Sequence, residues 1–349
     1  MSDAKCEYLH ILVFFPENQI SDLQRRQMTT VCGPTARVVT FEGGGDDMDV
    51  PLKRLAADHE FAKEHGLCGI NSYSIGRPLA QLPHFFWAYF RAMEQMNAEL
   101  GAQMDFVIPA GALGNTAAAF MARHMGLPLR IIAGVNQNDI THRTIAKGEF
   151  HRSESMFKTL SDAINIQVPY NMERIFYYLT GEDVSVVKTW MAEVESTGRL
   201  TLPDKWLARL QEVFSSARMD DTAMCHAMKR SVDEYSYLPC PHSAVALGAH
   251  FECPWPDESA ARVIFATASP CKFEASVKAA VGPESWTRYE DVTSNSIAAR
   301  SSCFAMEESS DFPPAAREVL AAAERTSMPR RPQHVTRNRH QSFTRSTTA

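Results

Sequence analysis

The sequence predicts an α/β fold of open parallel sheets arranged in two lobes, and three observations lead there. Strand and helix signals alternate along the chain, as β-α-β units require. The strand candidates at residues 8–15 and 104–108 are nearly continuous apolar runs, the mark of strands covered on both faces. Between the second of these and a further apolar run at 129–135 lies Ile108-Pro-Ala-Gly-Ala-Leu-Gly-Asn-Thr116, a glycine-bearing turn that opens a helix. Parallel strands joined through such helices take right-handed crossovers.

Residues 8–15 form the first strand, ended by Pro16, and residues 21–31 a helix capped by Ser21. Residues 37–41 are the second strand. An acidic glycine turn at 43–47 leads into a helix over 50–64, and 69–72 is a short third strand. Residues 78–96 are apolar on nearly every side, so this helix is expected to be buried between layers, with Pro83 kinking or restarting it. Asn115 is expected to cap the next helix, which closes at Gly126. After the strand at 129–135, Asn138-Asp-Ile-Thr-His-Arg-Thr144 leads into a helical region reaching about residue 162. Residues 184–228 read as amphipathic helices with a break near Gly198. Ser243 reads as the cap of a further helix, 262–267 as a strand and 311–325 as a last helix. The expected division is a smaller lobe over 1–100, a larger lobe over 101–325, and a basic tail over 326–349.

That tail holds five arginines (330, 331, 337, 339, 345) and no acid, is rich in Ser, Thr, Pro and Asn, and is expected to be disordered and solvated. Without an aromatic platform it does not point to nucleic acid. The whole chain carries −6, is 45% hydrophobic and 22% charged, and has no apolar run of membrane-spanning length. No secretory signal is evident at the amino terminus, and eight cysteines are scattered without a C-x-x-C pair, so a cytoplasmic protein with reduced thiols and no membrane or nucleic-acid partner is expected. Cys240, His242, His250 and Cys253 form C-x-H-x7-H-x2-C, a spacing that fits no common structural zinc pattern, so no metal is expected.

The chemistry centres on Gly111, Ala112, Leu113, Gly114 and Asn115. Two glycines let a ligand approach the backbone, and the first N–H groups of the following helix, at the positive end of its dipole, suit an anion such as a phosphate. The G-x-x-G spacing is neither the dinucleotide G-x-G-x-x-G nor a P-loop. In open α/β folds ligands sit at the carboxyl ends of strands, and three candidate loops fall there: 71–77, 111–115 and 267–270.

Seven segments occur in an order and spacing that resemble the threonine synthase family across roughly residues 8–282. They are Arg26-Gln-Met-Thr-Thr-Val31, Asn71-Ser72 with Arg77, Pro109-Ala-Gly-Ala-Leu-Gly-Asn115, Asn138-Asp-Ile-Thr-His-Arg-Thr144, Gln167-Val-Pro-Tyr-Asn-Met-Glu-Arg174, Cys240-Pro-His-Ser-Ala-Val245 and Ala266-Thr-Ala-Ser-Pro-Cys-Lys-Phe273. The resemblance implies the fold of tryptophan synthase β-type enzymes and pyridoxal phosphate as cofactor. It implies phospho-lyase chemistry on O-phosphohomoserine or phosphothreonine-type substrates, yielding a 2-oxo acid. By the same resemblance, Gly111 to Asn115 would hold the cofactor phosphate and the Thr267 hydroxyl would meet the pyridine nitrogen. Asn71, Ser72 and Arg77 would grip the phosphate of a phosphorylated amino-acid substrate.

The sequence also departs from that family. Its Schiff-base lysine lies in a Phe-Lys-Asp segment, followed by Ser-Gly-Asp-Thr-Gly, and neither occurs here; none of the ten lysines stands in a matching context. The family's Asn-Ser-x-Asn-x-x-Arg reads Asn71-Ser-Tyr-Ser-Ile-Gly-Arg77, with Ser74 in place of the second Asn. The expectation is therefore an amino-terminally shortened relative that binds cofactor phosphate but has negligible activity alone, with no catalytic residue assigned. A second copy or a partner chain would cover the missing face. The alternatives are a non-catalytic binding or signalling fragment and an incomplete gene model of an active enzyme.

Overall fold

A parallel strand pair opens the chain: β1 (Ile11–Pro16) lies beside β2 (Ala36–Phe41), in register from Ile11 against Ala36 to Pro16 against Phe41. The computed structural model describes residues 9–16, 20–29, 35–41, 45–72, 74–252 and 261–298. Between the two strands runs α1 (Asp22–Thr29), started by a reciprocal cap. The Ser21 hydroxyl accepts from Gln24 N (3.2 Å), and the Gln24 side chain accepts from Ser21 N (3.1 Å). Val39, fully buried, packs against Leu12 and Phe14. The helix expected over 50–64 is two helices, α2 (Gly45–Ala57) and α3 (His59–Glu64). Asp58 divides them: its carboxylate accepts from Phe61 N (3.0 Å) and restarts the helix as an N-cap.

The described residues form two compact units, those within 1–68 together with 290–298 and those within 69–289. Helix 76–96, placed by its sequence at the end of the smaller lobe, belongs to the second unit. The tail over 326–349, the helix expected over 311–325 and the turn at 43–44 lie outside the described residues, as do Thr30, Val31 and Cys253.

The second unit is built on a four-stranded parallel sheet in the order β7-β4-β3-β8: β3 (Met104–Pro109), β4 (Leu129–Val135), β7 (Phe214–Arg218) and β8 (Ala261–Ile264). Side chains alternate across it. Phe106, Ile108, Ile131 and Ala133 face one core, shared with α4 (Gly76–Met96) and α5 (Gly114–His124), while Val107 and Ile132 meet Ala246 and Ala249 of α11 (Pro241–Glu252). Gly134 is what lets α11 lie on the sheet: a Cβ there would stand 2.9 Å from both Ala246 Cα and Val245 O.

Several expectations change here. Residues 69–72 are no strand; the Asn71 side chain accepts from Ser72 N (2.7 Å) and its carbonyl from Ser74 N (2.9 Å), closing a turn instead. Helix α4 is unbroken at Pro83, and it is not buried all round. Phe85, Tyr89 and Met93 are buried, with Phe85 against Phe106 and Phe265, whereas Leu79, Trp87 and Phe90 are exposed, Trp87 at 69%. The helical region expected to reach residue 162 ends early. Gly148 (φ 74°) closes α6 (Ile140–Lys147), and β5 (Glu149–His151) pairs antiparallel with β6 (Arg199–Thr201). The following helices are α7 (Met172–Leu179), α8 (Val184–Thr197), α9 (Asp204–Gln211) and α10 (Asp221–Tyr235), and Gly198 (φ 75°) closes α8.

Candidate functional site

β3 and β8 are neighbours running the same way, so the loops leaving them emerge side by side at the carboxyl edge of the sheet. The loop from β3 is the glycine turn. Leu113 is buried in the left-handed region (φ 61°, ψ 15°), and helix α5 starts two residues earlier than expected, at Gly114. Asn115 is thus a helical residue rather than the cap, and no side chain caps this helix end. The first intrahelical bond is Ala117 N to Leu113 O (2.8 Å), which leaves the amides of Gly114, Asn115 and Thr116 ahead of the hydrogen-bonded ladder.

Thr116 stands in the first turn of this helix. Its hydroxyl is 1% exposed by residue and has no hydrogen-bond partner. The carbonyl four residues earlier, that of Ala112, lies ahead of the helix and outside its ladder. That oxygen is already taken twice by Asn171, through its side-chain amide (2.7 Å) and its backbone N (3.2 Å). A buried hydroxyl donor left over beside three leading amides fits an anionic oxygen at this turn.

Both glycines are held close by their surroundings. A Cβ on Gly111 would stand 2.9 Å from Ile164 Cγ2 and 3.3 Å from Ile164 Cα, in the 3-10 turn Asp162–Ile164. A Cβ on Gly114 would reach Ser72 Cβ (3.4 Å), Asn171 Nδ2 (3.5 Å) and Gln81 Oε1 (3.7 Å), the last another buried atom without a partner. Ser72 therefore lies at the mouth of the turn, and Arg174 fastens it there, donating to Ser72 O (3.0 Å) and to the Asn171 side-chain oxygen. Burial pulls the Arg174 guanidinium below its ordinary value. Asn71 is exposed and turned into its own loop, and Arg77, also exposed, donates to Ile70 O (3.3 Å).

Thr267 follows β8, whose ladder continues as Phe265 N to Val107 O (2.9 Å). Its backbone N donates to the Ser243 hydroxyl (3.0 Å), and its own hydroxyl lies 3.9 Å from Cys240 Sγ. Ser243 does not cap α11; the Cys240 sulfur does, accepting from Ser243 N (3.4 Å). His242 beside it accepts at Nε2 from Ala163 N (3.0 Å), the residue before Ile164. One chain of contacts thus runs from Gly111 through Ile164, Ala163, His242 and Cys240 to Thr267. A second polar cluster stands behind the loop at the end of β4. Asn136, 2% exposed, and Asn138, 5% exposed, both donate to the Asn165 side-chain oxygen (2.8 and 2.9 Å).

Asn171, Arg174, Cys240 and His242 lie within matched segments, yet nothing local in the sequence assigned them a role. Among the described residues no group of three His, Cys, Asp or Glu side chains is placed to hold a metal ion, and no helix is long and apolar enough to cross a membrane.

No family model matches the chain. It is 40% identical over 278 residues to Threonine synthase-like 2 of Homo sapiens, covering 79% of this chain and 57% of that protein. It is 31% identical over 280 residues to threonine synthase of Pseudomonas aeruginosa, covering 80% and 58%. Among solved structures, it superposes on yeast threonine synthase with a TM-score of 0.74 at 27% identity, over 84% of this chain and 60% of the other. On a PLP-bound threonine synthase from Brucella melitensis the score is 0.71 at 30% identity, over 79% and 58%. The chain spans under two thirds of the length of the curated relatives it matches.

Proposed function

Because the chain belongs to the threonine synthase family, we propose that its second unit binds pyridoxal phosphate at the carboxyl edge of the four-stranded sheet and belongs to a phospho-lyase. O-phosphohomoserine or a phosphothreonine-type amino acid would be the substrate, and a 2-oxo acid the product. The observation that carries this reading is the partnerless Thr116 hydroxyl beside the leading amides of α5. A phosphomonoester dianion would take these donors together.

The chain's residues divide the work. Gly114, Asn115 and Thr116 would hold the cofactor's phosphate, and Gly111 and Gly114 let Ile164 and Ser72 pack against the turn. Thr267, at the end of the adjacent strand, offers a neutral hydroxyl to the ring nitrogen. Ser72, fixed by Arg174 beside Gly114, would meet the substrate's phosphate, with Asn71 and Arg77 supplying further donors from the same loop. When bound, pyridoxal phosphate supplies a conjugated sink for the electron pair released as a C–H bond beside the substrate amine breaks. Turnover needs a base for that proton, and no lysine of this chain stands in the family's context. We therefore propose that these 349 residues bind the cofactor and turn over negligibly by themselves.

Titration of the purified chain with pyridoxal phosphate, followed by quenching of its tryptophan fluorescence, tests the first half. Saturable binding that inorganic phosphate competes away is expected; no saturable binding would refute it. Phosphate release from O-phosphohomoserine tests the second half, and steady multiple turnover would overturn it.

A further inference from the structure

One buried sulfur next to Thr267 collects more donors than a structural cysteine needs. Cys240 is 1% exposed. Around its Sγ stand Ser243 Oγ at 3.1 Å, Ser243 N at 3.4 Å, Thr267 Oγ1 at 3.9 Å and His242 Nδ1 at 4.0 Å. It also sits at the amino terminus of α11, where the dipole favours negative charge.

The proton positions follow from the other partners. Thr267 N donates to Ser243 Oγ (3.0 Å), so that hydroxyl is free to direct its own hydrogen at the sulfur. Ala163 N donates to His242 Nε2, which leaves the ring's proton on Nδ1, facing the sulfur. Asp162 Oδ1 lies 3.5 Å from that Nε2 on the solvent side, and Phe273 packs edge-on to the ring (4.5 Å). Burial works against charge on both groups. Bonds from His242 and Ser243 nevertheless bring the Cys240 thiol down to about 7, and Asp162 with the sulfur carries the His242 imidazole above its ordinary value. Tyr237, on the approach to α11, is the other ionisable group that feels the sulfur; burial first, and then Cys240, push its phenol up.

Resting on the cofactor reading above, we propose that Cys240, held as a thiolate by His242 and the start of α11, is a positioning residue that sets the direction of the Thr267 hydroxyl. That hydroxyl has one hydrogen. Facing a thiolate it gives the hydrogen to sulfur, and its lone pairs meet the ring nitrogen, which is left without a donor. Facing a thiol, a weak acceptor, it turns the hydrogen to an unprotonated ring nitrogen. No bond to the cofactor forms or breaks; the sulfur's proton is exchanged with solvent. The cofactor would thus meet an acceptor above neutrality and a donor below it.

Two measurements test this on the whole chain. In the cofactor-free protein, thiolate absorbance near 240 nm, taken as wild type minus Cys240→Ala, should rise through neutral pH, and His242→Asn should move that rise at least one pH unit higher. A Cys240 signal appearing only above pH 8.5 would overturn the proposal whatever the cofactor does. In the second, pyridoxal phosphate affinity is measured from pH 6 to 8.5 in wild type and in Cys240→Ser, with thermal melts confirming that the variant folds. The wild-type profile should contain a several-fold change that Cys240→Ser lacks, and the bound cofactor's absorbance should lose its pH dependence in the same variant. Superimposable profiles would refute the positioning role while leaving cofactor binding intact. Failure of every variant to bind would instead refute the proposed function, and this role with it.

Discussion

Thr116→Val separates the demands of folding from those of binding. The substitution keeps the branched shape and removes only the hydroxyl, which is buried and has no hydrogen-bond partner. A buried polar group without a hydrogen bond costs about 1–3 kcal/mol in the folded state. Removing it should therefore stabilise the empty protein by up to that amount, raising the melting temperature by about 2–4 °C per kcal/mol for a unit of this size. Binding should move the other way. A hydrogen bond to a charged acceptor is worth about 1.5–3 kcal/mol, and each ~1.4 kcal/mol is tenfold, so pyridoxal phosphate and inorganic phosphate should both bind roughly ten- to a hundredfold more weakly. Differential scanning fluorimetry and fluorescence titration on the same preparations read the two effects. A variant that is less stable than wild type, or equally stable with unchanged affinity, would sink the assignment of this hydroxyl to the ligand.

Three further outcomes are expected. Asp105, fully buried in β3, takes a bidentate pair from Arg130 (2.7 and 3.0 Å), so Asp105→Ala should cost about 3 kcal/mol in urea unfolding, as when one partner of a buried pair is removed, without changing cofactor affinity of the folded protein. Gly134→Ala should cost about 1–3 kcal/mol by pushing α11 off the sheet, since its Cβ would meet backbone atoms rather than a movable side chain; an unchanged urea midpoint would contradict the packing described. His142, bonded to Ser216 Oγ (3.0 Å), is held below its ordinary value of 6.5, chiefly by burial with help from Arg218 and Lys147, against Asp139. The unfolded chain then binds the extra proton more readily, so this contribution is complete above about pH 6.5 and is lost as pH falls through the lower folded value. The drop in urea midpoint between pH 7.5 and 5.5 should be smaller in His142→Gln.

Elements whose signals are local were legible in the sequence. The apolar runs of β1, β3 and β4, the Ser21 cap and the glycine turn all announce themselves within a few residues. Reading failed where a residue's partner lay elsewhere. β7 is short and polar (Phe-Ser-Ser-Ala-Arg), a strand through its pairing with β4, and no apolar run betrays it. Leu113 takes a positive φ that its own type disfavours, which shifts the helix start off Asn115. Ser243 resembles a cap until Cys240 provides the sulfur that replaces it. At the site the same rule holds: Asn171 meets Ala112 across 59 residues, and Arg174 meets Ser72 across 102. The order of segments could bring these residues to notice, but no local pattern could give them their tasks.

Whether the distant contact made by Asn171 also readies the glycine turn for a ligand is tested by coupling. In Asn171→Ala the side-chain bonds to Ala112 O and from Arg174 disappear, and about 1–3 kcal/mol of stability should go with them. One lone pair on Ala112 O, four residues before Thr116 in the chain, is then free. The Thr116 hydroxyl would satisfy itself inward, and phosphate affinity should fall by nearly as much as in Thr116→Val, although the substituted residue gives up no donor to the ligand. If so, adding Thr116→Val to Asn171→Ala should cost little further affinity, since the hydroxyl has already been withdrawn. Strict additivity of the two losses would mean that the hydroxyl still points outward without Asn171, and that the turn owes its free donor to something other than the occupied carbonyl.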